Sequence, residues 1–479
     1  MECGYKSNSI CENCFVIINT NIIDVELGKV DSGMSLILKD NLIIELGKAK
    51  AIQTPKNATI IDGKDKFIIP GLWDMHAHTS SDSITRQVAY PLFIANGITG
   101  IRDMIADCYN EEYPCEKYNS PTIFISRNWK EDVANGNLLG PRSVLGSQRV
   151  NGLRGDSSTI LSPGTPEHGR EHVIFLKQRG VDFIKIYEEC PRDVFFSVAK
   201  EAKNQNLPFV GHVPFEVKIS EAAKVGIGSI EHCCDENYML ECSEIEDVLR
   251  QKWLNAIRTK TFNIGDIILE MARTYDATKC DEVFNIIKEN HAWVVPTLIV
   301  SESHYPYLFN WTIDERLKYL PKSERLLWEE WQNDYYHVYG DWDYDKQMEM
   351  RKRRFEIIAM MFKKGIPIMA GTDCASIGVF WGSSIHEELE LLVQVGLSEI
   401  DALRAATLNP ALFFKATDSL GSIAKGKIAD MVILNKNPLE DIRHTKNING
   451  VFSNGNYFNK SSIDSLLMNV ETVVNNRFN

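Results

Sequence analysis

The sequence has no excess of basic residues and no long apolar run. Its 479 residues include 52 Lys and Arg against 65 Asp and Glu, which gives a formal net charge of −13. Nucleic acids and anionic membrane surfaces bind basic faces, so neither is an expected partner. No window reaches the ~18 uninterrupted apolar residues of a membrane span, and the first residues lack the basic and apolar segments of an export signal. We therefore expect neither nucleic acid nor membrane among the partners.

Cysteine is present, but it lacks the pattern of a disulfide framework or a zinc finger. The eleven cysteines are an odd number and are scattered along the chain, which is typical of reduced thiols. Cys11 and Cys14 form a CxxC pair without a second pair at zinc-finger spacing, so a structural zinc is not favoured there. We predict reduced thiols in a cytoplasmic protein. The alternative is an exported protein whose leader is absent from this chain.

The composition and the chain ends indicate one large domain and one small one. Hydrophobic residues make up 44% of the chain and charged residues 24%, as in a large globular protein. Short β-branched runs separated by turns occupy residues 14–61, and a similar texture returns at 421–437. We predict a small composite β-sandwich built from residues 1–66 and 418–479, with a barrel domain at 67–417.

Apolar strand-like segments alternate with helical stretches between the two ends, which predicts an α/β fold with a parallel sheet. Eight such units indicate a (β/α)8 TIM barrel, whose chemistry lies at the C-terminal ends of its strands. Two connections, 106–181 and 299–365, are longer than a barrel needs, and the second is rich in Trp and Tyr. Each of these connections is either a lid over the active site or an insertion without a role in the reaction, and the sequence leaves both alternatives open. The predicted strands are 67–78, 97–105, 121–127, 182–188, 208–214, 228–234, 292–298 and 366–373.

Six residues that can bind a metal stand at the ends of these predicted strands. His76 and His78, in WDMHAH, point to the same face of a strand. A single HxH pair is more often a surface or core pair, and each further residue alone has a structural explanation. The whole set in this order predicts a metal site. The other four residues are Lys185 in DFIKIY, His212 in GHVP, His232 in SIEH and Asp373 in AGTD.

With these motifs, the sequence resembles the amidohydrolase superfamily of metal-dependent hydrolases. The resemblance also includes LRAATLNPALFF and GSIAKGKIADMVILNKNPLEDI near the C-terminus. It implies a barrel with a composite β-sandwich and a carbamate, derived from CO2, on Lys185 that bridges two divalent metal ions. A neutral lysine amine is needed for that reaction, and burial near metal charge favours the neutral form.

The resemblance also implies a distribution of ligands and a mechanism. His76, His78 and Asp373 would bind one ion, His212 and His232 the other, and Lys185 both. A hydroxide between the ions would attack the substrate, and Asp373 would carry a proton to the leaving nitrogen. Imidazole and oxygen ligands suit Zn2+ best. The expected reaction is hydrolysis of an amide or related C–N bond in a small-molecule substrate of peptide, N-acyl, cyclic amide or urea type. A homo-oligomer is compatible with the sequence.

Two alternatives differ in chemistry. Mononuclear imidazolonepropionase-like hydrolases and deaminases lack the lysine, and deaminases place Glu three residues after the strand-five histidine, whereas Glu216 stands four after His212. A non-catalytic barrel scaffold would need none of the six residues. Within the binuclear branch, the segments resemble Xaa-Pro dipeptidase-like and imidazolonepropionase-related enzymes. The run after Lys185 departs from the dipeptidase pattern. Arg102 is expected to form an internal ion pair with Asp103 or another barrel residue.

Overall fold

Two β-sheets organise the chain, one from its middle and one from its two ends. The computed structural model describes residues 14–109, 120–152, 160–232, 236–259, 264–305, 307–339 and 342–479. Cys11, of the CxxC pair, lies outside these residues. None of the helices in the described residues is long and apolar enough to span a bilayer.

Seven parallel strands form a nearly closed barrel, which confirms the predicted α/β barrel architecture. Their order around the barrel is β6, β7, β8, β10, β11, β12, β13, and a short strand β9 pairs with β8. Residues 366–374 lie between the two edge strands through parallel bridges from Ile368 to Val294 and from Cys374 to Ala77. The strands are β6 (Leu72–Ala77), β7 (Ile98–Asp103), β8 (Arg142–Val150), β9 (Ile160–Leu161), β10 (Phe183–Ile186), β11 (Phe209–Gly211), β12 (Ser229–Glu231) and β13 (Trp293–Val295).

The predicted third and eighth strands need correction. Residues 121–127 do not form a strand, because a helix runs over Ile123–Ala134 and begins at Thr122, whose side chain accepts a hydrogen bond from the Ile125 amide. The buried positions of that helix are three to four residues apart. The predicted segment is too short for its apolar pattern to distinguish this helical spacing from a strand. The third barrel strand is β8. Residues 366–373 occupy the eighth position by isolated bridges rather than as a continuous strand.

The first predicted strand, 67–78, is two strands in two different sheets. Its first part, Phe67–Pro70, pairs with the chain ends, and its second part is β6 of the barrel. Gly71 separates them, and a Cβ atom at this position would lie 2.1 Å from Oγ1 of Thr99. Only glycine fits where the chain passes from one sheet to the other.

The second sheet combines both chain ends, as the composite domain requires. Its order is β16, β15, β14, β5, β1, β2, β3, with β4 paired to β1, and it mixes parallel and antiparallel pairs. Ile17, Leu36, Ile68 and Met431 contribute to its own buried apolar cluster. Its strands are β1 (Cys14–Asp24), β2 (Lys29–Lys39), β3 (Leu42–Lys48), β4 (Thr59–Asp62), β5 (Phe67–Pro70), β14 (Met431–Leu434), β15 (Ile448–Ser453) and β16 (Asn456–Asn459).

Amphipathic helices cover the barrel. Arg192–Asn204, for example, buries Val194, Phe195 and Val198 at helical spacing. The helices are α1 (Asp82–Ile84), α2 (Tyr90–Ala95), α3 (Ile123–Ala134), α4 (Pro166–Arg179), α5 (Arg192–Asn204), α6 (Ile219–Lys224), α7 (Glu236–Glu241), α8 (Glu246–Thr259), α9 (Gly265–Arg273), α10 (Ala277–Glu289), α11 (Leu298–Ser303), α12 (Lys322–Tyr339), α13 (Tyr344–Lys364), α14 (Ser384–Gln394), α15 (Glu399–Ala405), α16 (Leu408–Phe413) and α17 (Lys460–Val473).

The prediction of reduced thiols is wrong for four cysteines. Cys242 and Cys280 form a disulfide, and Cys14 and Cys108 are also disulfide-bonded. Cys242 follows α7 and Cys280 lies in α10, 38 residues further on. The fold brings these two segments together, and spacing along a sequence does not reveal such a pairing.

We predict that the Cys242–Cys280 disulfide stabilises the fold. Changing both residues to Ala should lower the free energy of unfolding by about 3 kcal/mol, because the crosslink restricts the unfolded chain. Urea unfolding of the purified protein measures this loss. Cys190→Ala is the control for the loss of one buried sulfur, since Cys190 is a buried free thiol. Equal stability of the double variant and this control would contradict the prediction.

Candidate metal centre

Three of the predicted residues meet where the first barrel strand faces residues 366–374. His76 lies in β6 and His78 one residue beyond it, and their ring centroids are 5.4 Å apart. Oδ1 of Asp373 lies 2.8 Å from Nε2 of His78 and 3.3 Å from Nε2 of His76. The alternation of the strand therefore brings both imidazoles to one carboxylate, as the HxH spacing predicts.

The two histidines from the fifth and sixth barrel strands extend this group. His212 follows β11 and His232 follows β12. The ring of His232 lies 4.5 Å from the rings of both His76 and His212. His76, His232 and Asp373 each offer a ligand atom within 4.8 Å of the others. All four predicted histidines and the aspartate thus form one connected cluster.

Lys185 lies in β10, and its side chain is buried beside the same cluster. It is 1% exposed. Burial lowers its pKa to about 8, against the opposing effects of Glu231 and Asp373. A larger share of neutral amine is therefore available at neutral pH than on an ordinary lysine. The structure thus brings all six predicted residues to one end of the barrel, while their roles as ligands stay predictions.

A buried carboxylate behind His76 was missed in the sequence. Oε2 of Glu231 lies 2.9 Å from Nδ1 of His76, and Nη2 of Arg102 donates to both carboxylate oxygens, at 2.7 and 2.8 Å. Arg102 therefore forms the expected internal ion pair, with Glu231 rather than Asp103. The carboxylate of Asp103 instead accepts from Thr79. The glutamate of the SIEH motif could have indicated this pair in the sequence, because a buried arginine requires an anionic partner.

The hydrogen bond to Glu231 fixes which nitrogen of His76 faces the cluster. An ion-paired carboxylate only accepts hydrogen bonds, so Nδ1 of His76 carries the hydrogen and Nε2 keeps its lone pair. That Nε2 is buried and makes no hydrogen bond among the described residues, although Oδ1 of Asp373 is 3.3 Å away. It is therefore oriented as a ligand.

The charge states of the cluster suit a divalent cation. Burial lowers the pKa values of His76, His212 and His232 well below the usual range, so these imidazoles are neutral. Burial alone would raise the pKa of Asp373, but the hydrogen bond from His78 and nearby charges hold it well below its ordinary value. Neutral imidazoles and a carboxylate are the ligand types that Zn2+ and similar ions prefer. The residues present therefore fit the metal centre that their sequence motifs predict.

The backbone is strained at three neighbouring strand ends of the cluster. His232, Thr297 and Asp373 have φ values of 52°, 46° and 58° in the left-handed region. Non-glycine residues rarely adopt this conformation, which costs ~1–3 kcal/mol and persists where contacts enforce it. At Asp373, the amide donates to the carbonyl of His76 at 2.6 Å, and Oδ1 of Asp74 accepts from the amide of the preceding residue, Thr372, at 3.0 Å.

The fold and the site define a class of barrel enzymes, because a nearly closed parallel barrel carries polar groups that can bind a metal at the ends of its strands. Within that class, the chain belongs to the amidohydrolase family, whose model matches residues 67–457. It is accordingly an enzyme that acts on C–N bonds.

Known proteins of this kind resemble the chain over most of its length. Ochratoxinase of Aspergillus niger is 22% identical, over 88% of this chain and 82% of the relative. A solved Xaa-Pro dipeptidase is 20% identical with a TM-score of 0.63, and covers 93% of this chain and 100% of its own. Bottromycin amidohydrolase is 19% identical with a TM-score of 0.67, over 97% of this chain and 91% of its own. The two solved structures support the fold.

We predict that Glu231→Gln weakens metal binding and the fold together. The variant leaves the buried Arg102 without its anionic partner, and loss of one member of a buried ion pair costs about 3–5 kcal/mol. Loss of an outer partner of a ligand typically lowers metal affinity ~10–100-fold. Chelator competition measures the affinity and urea unfolding the stability.

Glu241→Gln is the matched control for this prediction. Glu241 is buried and accepts hydrogen bonds from Ser220, away from the cluster. This variant should lose stability and keep its metal affinity. Wild-type metal affinity in Glu231→Gln would show that Glu231 does not orient His76.

Proposed function

We propose that this protein is a metal-dependent amidohydrolase that cleaves an amide or related C–N bond of a small molecule. The observation that carries the proposal is the buried Nε2 of His76, oriented by Glu231 and without a hydrogen bond among the described residues. It lies with Asp373 and His232 at the C-terminal ends of the barrel strands, where barrel enzymes place their chemistry.

The six residues divide into two ligand groups in this proposal. His76, His78 and Asp373 would hold one divalent ion, and His212 and His232 would hold the other. Lys185 would contribute to both, and Zn2+ is the expected metal for this donor set. When bound, the ions would activate water and polarise the scissile carbonyl. The contacts between Asp373, His76 and His78 support the first group. His232 lies between the two groups, because its ring is 4.5 Å from the rings of both His76 and His212.

Lys185 serves as a carbamate in this proposal. The neutral amine nitrogen would attack the carbon of CO2, one C=O bond would open to a carboxylate oxygen, and the nitrogen would release one proton to water. The product is an anionic carbamate with two oxygen donors. Burial of Lys185 and its lowered pKa support this step, since only the neutral amine reacts. A mononuclear hydrolase or deaminase is the alternative, and it needs no lysine at this position.

Asp373 moves the proton in this mechanism. Its carboxylate accepts a proton as water attacks the carbonyl carbon and delivers it to the leaving nitrogen as the C–N bond breaks. Ser376 Oγ donates to its Oδ2 at 3.0 Å, and His78 Nε2 lies 2.8 Å from its Oδ1. These contacts orient the carboxylate.

The relatives suggest the substrate class. A dipeptidase, an ochratoxinase and a bottromycin amidohydrolase share this fold or sequence, and we propose a peptide-like or N-acyl amino acid substrate for this chain. We also propose an oxidising compartment, in keeping with the export alternative. The Cys242–Cys280 disulfide supports it, because such bonds are rare in the cytosol.

We predict metal-dependent hydrolysis in a screen of dipeptides, N-acyl amino acids, cyclic amides and ureas. Zinc-loaded protein should release an amine from at least one class, and should carry close to two ions per chain by elemental analysis. Removal of the metal by a chelator should abolish turnover, and added Zn2+ should restore it.

Asp373→Asn is the matched inactive control for the screen, since general acid–base catalysis contributes ~10²–10⁴-fold and its turnover should fall by ~10² or more. An active wild-type sample without metal would contradict the proposal.

We predict that Lys185→Ala loses activity and metal, because the change removes a donor that both ions would share. Acetate or propionate can enter the vacated space and should partly restore activity to this variant. These acids should not restore the activity of His76→Ala, because that variant lacks an imidazole donor and not an anionic oxygen donor. The measurement is turnover with added zinc over a range of acid concentrations. Near-wild-type turnover of Lys185→Ala without acid would favour the mononuclear alternative.

A further inference from the structure

His232 has a buried polar contact that none of the steps above uses. Its Nδ1 lies 2.9 Å from Oγ1 of Thr297, a residue that is 1% exposed. In a neutral imidazole one ring nitrogen carries the hydrogen, and the other keeps a lone pair that can bind a metal. The hydrogen-bond partner of the first nitrogen determines where the hydrogen lies. If Thr297 accepts from Nδ1, the lone pair stays on Nε2.

Thr297 can reach His232 because of an unusual backbone conformation. It follows β13, and its φ and ψ of 46° and 48° are left-handed. A β-branched residue resists this conformation, so contacts around it must hold it. The chain enters α11 directly after Thr297.

Glu388 supplies such a contact from the neighbouring helix α14. Its carboxyl is fully buried and accepts hydrogen bonds from the amides of Leu298 and Ile299, the latter at 2.9 Å. These are the two residues that follow Thr297. The other carboxyl oxygen, Oε1, is buried and has no hydrogen-bond partner in the described part of the chain. The polar contacts of this buried acid are therefore directed at the start of α11.

We propose that Thr297 and Glu388 are positioning residues for His232. Glu388 holds the start of α11, which keeps Thr297 in its left-handed conformation. Oγ1 of Thr297 then accepts from Nδ1 of His232 and leaves Nε2 as the ligand atom. The inference rests on the proposed function, since it requires a metal ion at His232.

Zinc affinity of Thr297 variants tests the first step. Apo protein is titrated with zinc in competition with a chromophoric chelator. Thr297→Val removes the hydroxyl at nearly constant volume and should weaken zinc binding ~10–100-fold, the usual effect of losing an outer partner of a ligand. Thr297→Ser keeps the hydroxyl and should restore most of the affinity.

Thr445 offers a matched control. Its Oγ1 lies 3.0 Å from Nδ1 of His386, and both residues are buried outside the cluster. Thr445→Val removes the same kind of contact. It should lower the melting temperature of the apo protein and leave zinc affinity unchanged.

Variants of Glu388 test the second step. Glu388→Met removes the acceptor and should weaken zinc binding in the same direction as Thr297→Val. Glu388→Gln keeps an oxygen that can accept from both amides and should retain the affinity. The double variant Glu388→Met/Thr297→Val should lose little more than Thr297→Val alone, because both act through one hydrogen bond.

The outcomes separate this inference from the proposed function. Wild-type zinc affinity in Thr297→Val would overturn the role of Thr297. Unchanged affinity in Glu388→Met, or purely additive losses in the double variant, would overturn the role of Glu388. If Glu388→Met does not fold, the zinc affinity of Glu388→Gln decides the role of Glu388. A loss as large as that in Thr297→Val overturns this role, and retained affinity supports it. A wild-type protein that binds no zinc would overturn the proposed function itself.

Discussion

The buried ion pair between Arg102 and Glu231 is the interaction on which both the barrel and the candidate site depend. Arg102 lies in β7 and donates to the carbonyl of Met75 in β6, to Ser229 in β12 and to Glu231. Removal of two charges from water costs several kcal/mol per ion, so apolar residues would often stabilise such a core better. The pair joins three strands and fixes the orientation of His76. We therefore infer that the pair contributes mainly by fixing the geometry of the site and less by adding stability.

The segment that carries Asp373 depends on a second set of polar contacts. Residues 366–374 do not form a continuous strand, although backbone hydrogen bonds, such as that from the Asp373 amide to the His76 carbonyl at 2.6 Å, join them to the edge strands. Asp74 of β6 binds the amide and the hydroxyl of Thr372, one residue before Asp373. Burial raises the pKa of Asp74 to about 6. This residue thus joins the strand that carries His76 to the segment that carries Asp373, which fixes their relative positions.

The sequence predicts those features of the protein that follow from local patterns. Strand alternation places His76 beside His78, and the C-terminal ends of parallel strands bring Lys185, His212 and His232 to the same end. The third strand and the Cys242–Cys280 disulfide were not predictable in this way. Short apolar runs suit a helix or a strand, and a disulfide depends on which segments pack together. Glu231 and Glu388 were missed for the same reason, since their partners are distant in sequence.

The aromatic insertion, residues 299–365, shows how this site is supported from outside the barrel. Glu324 and Trp328 are one turn apart on α12. Glu324 accepts from Ser80 Oγ at 2.8 Å, just beyond His78, and Trp328 Nε1 donates to the carbonyl of Ala375 at 2.7 Å, just beyond Asp373. Trp328 is fully buried against aromatic neighbours. An opening motion of α12 would break both bonds and expose this indole, so the contacts favour a fixed support over a mobile lid.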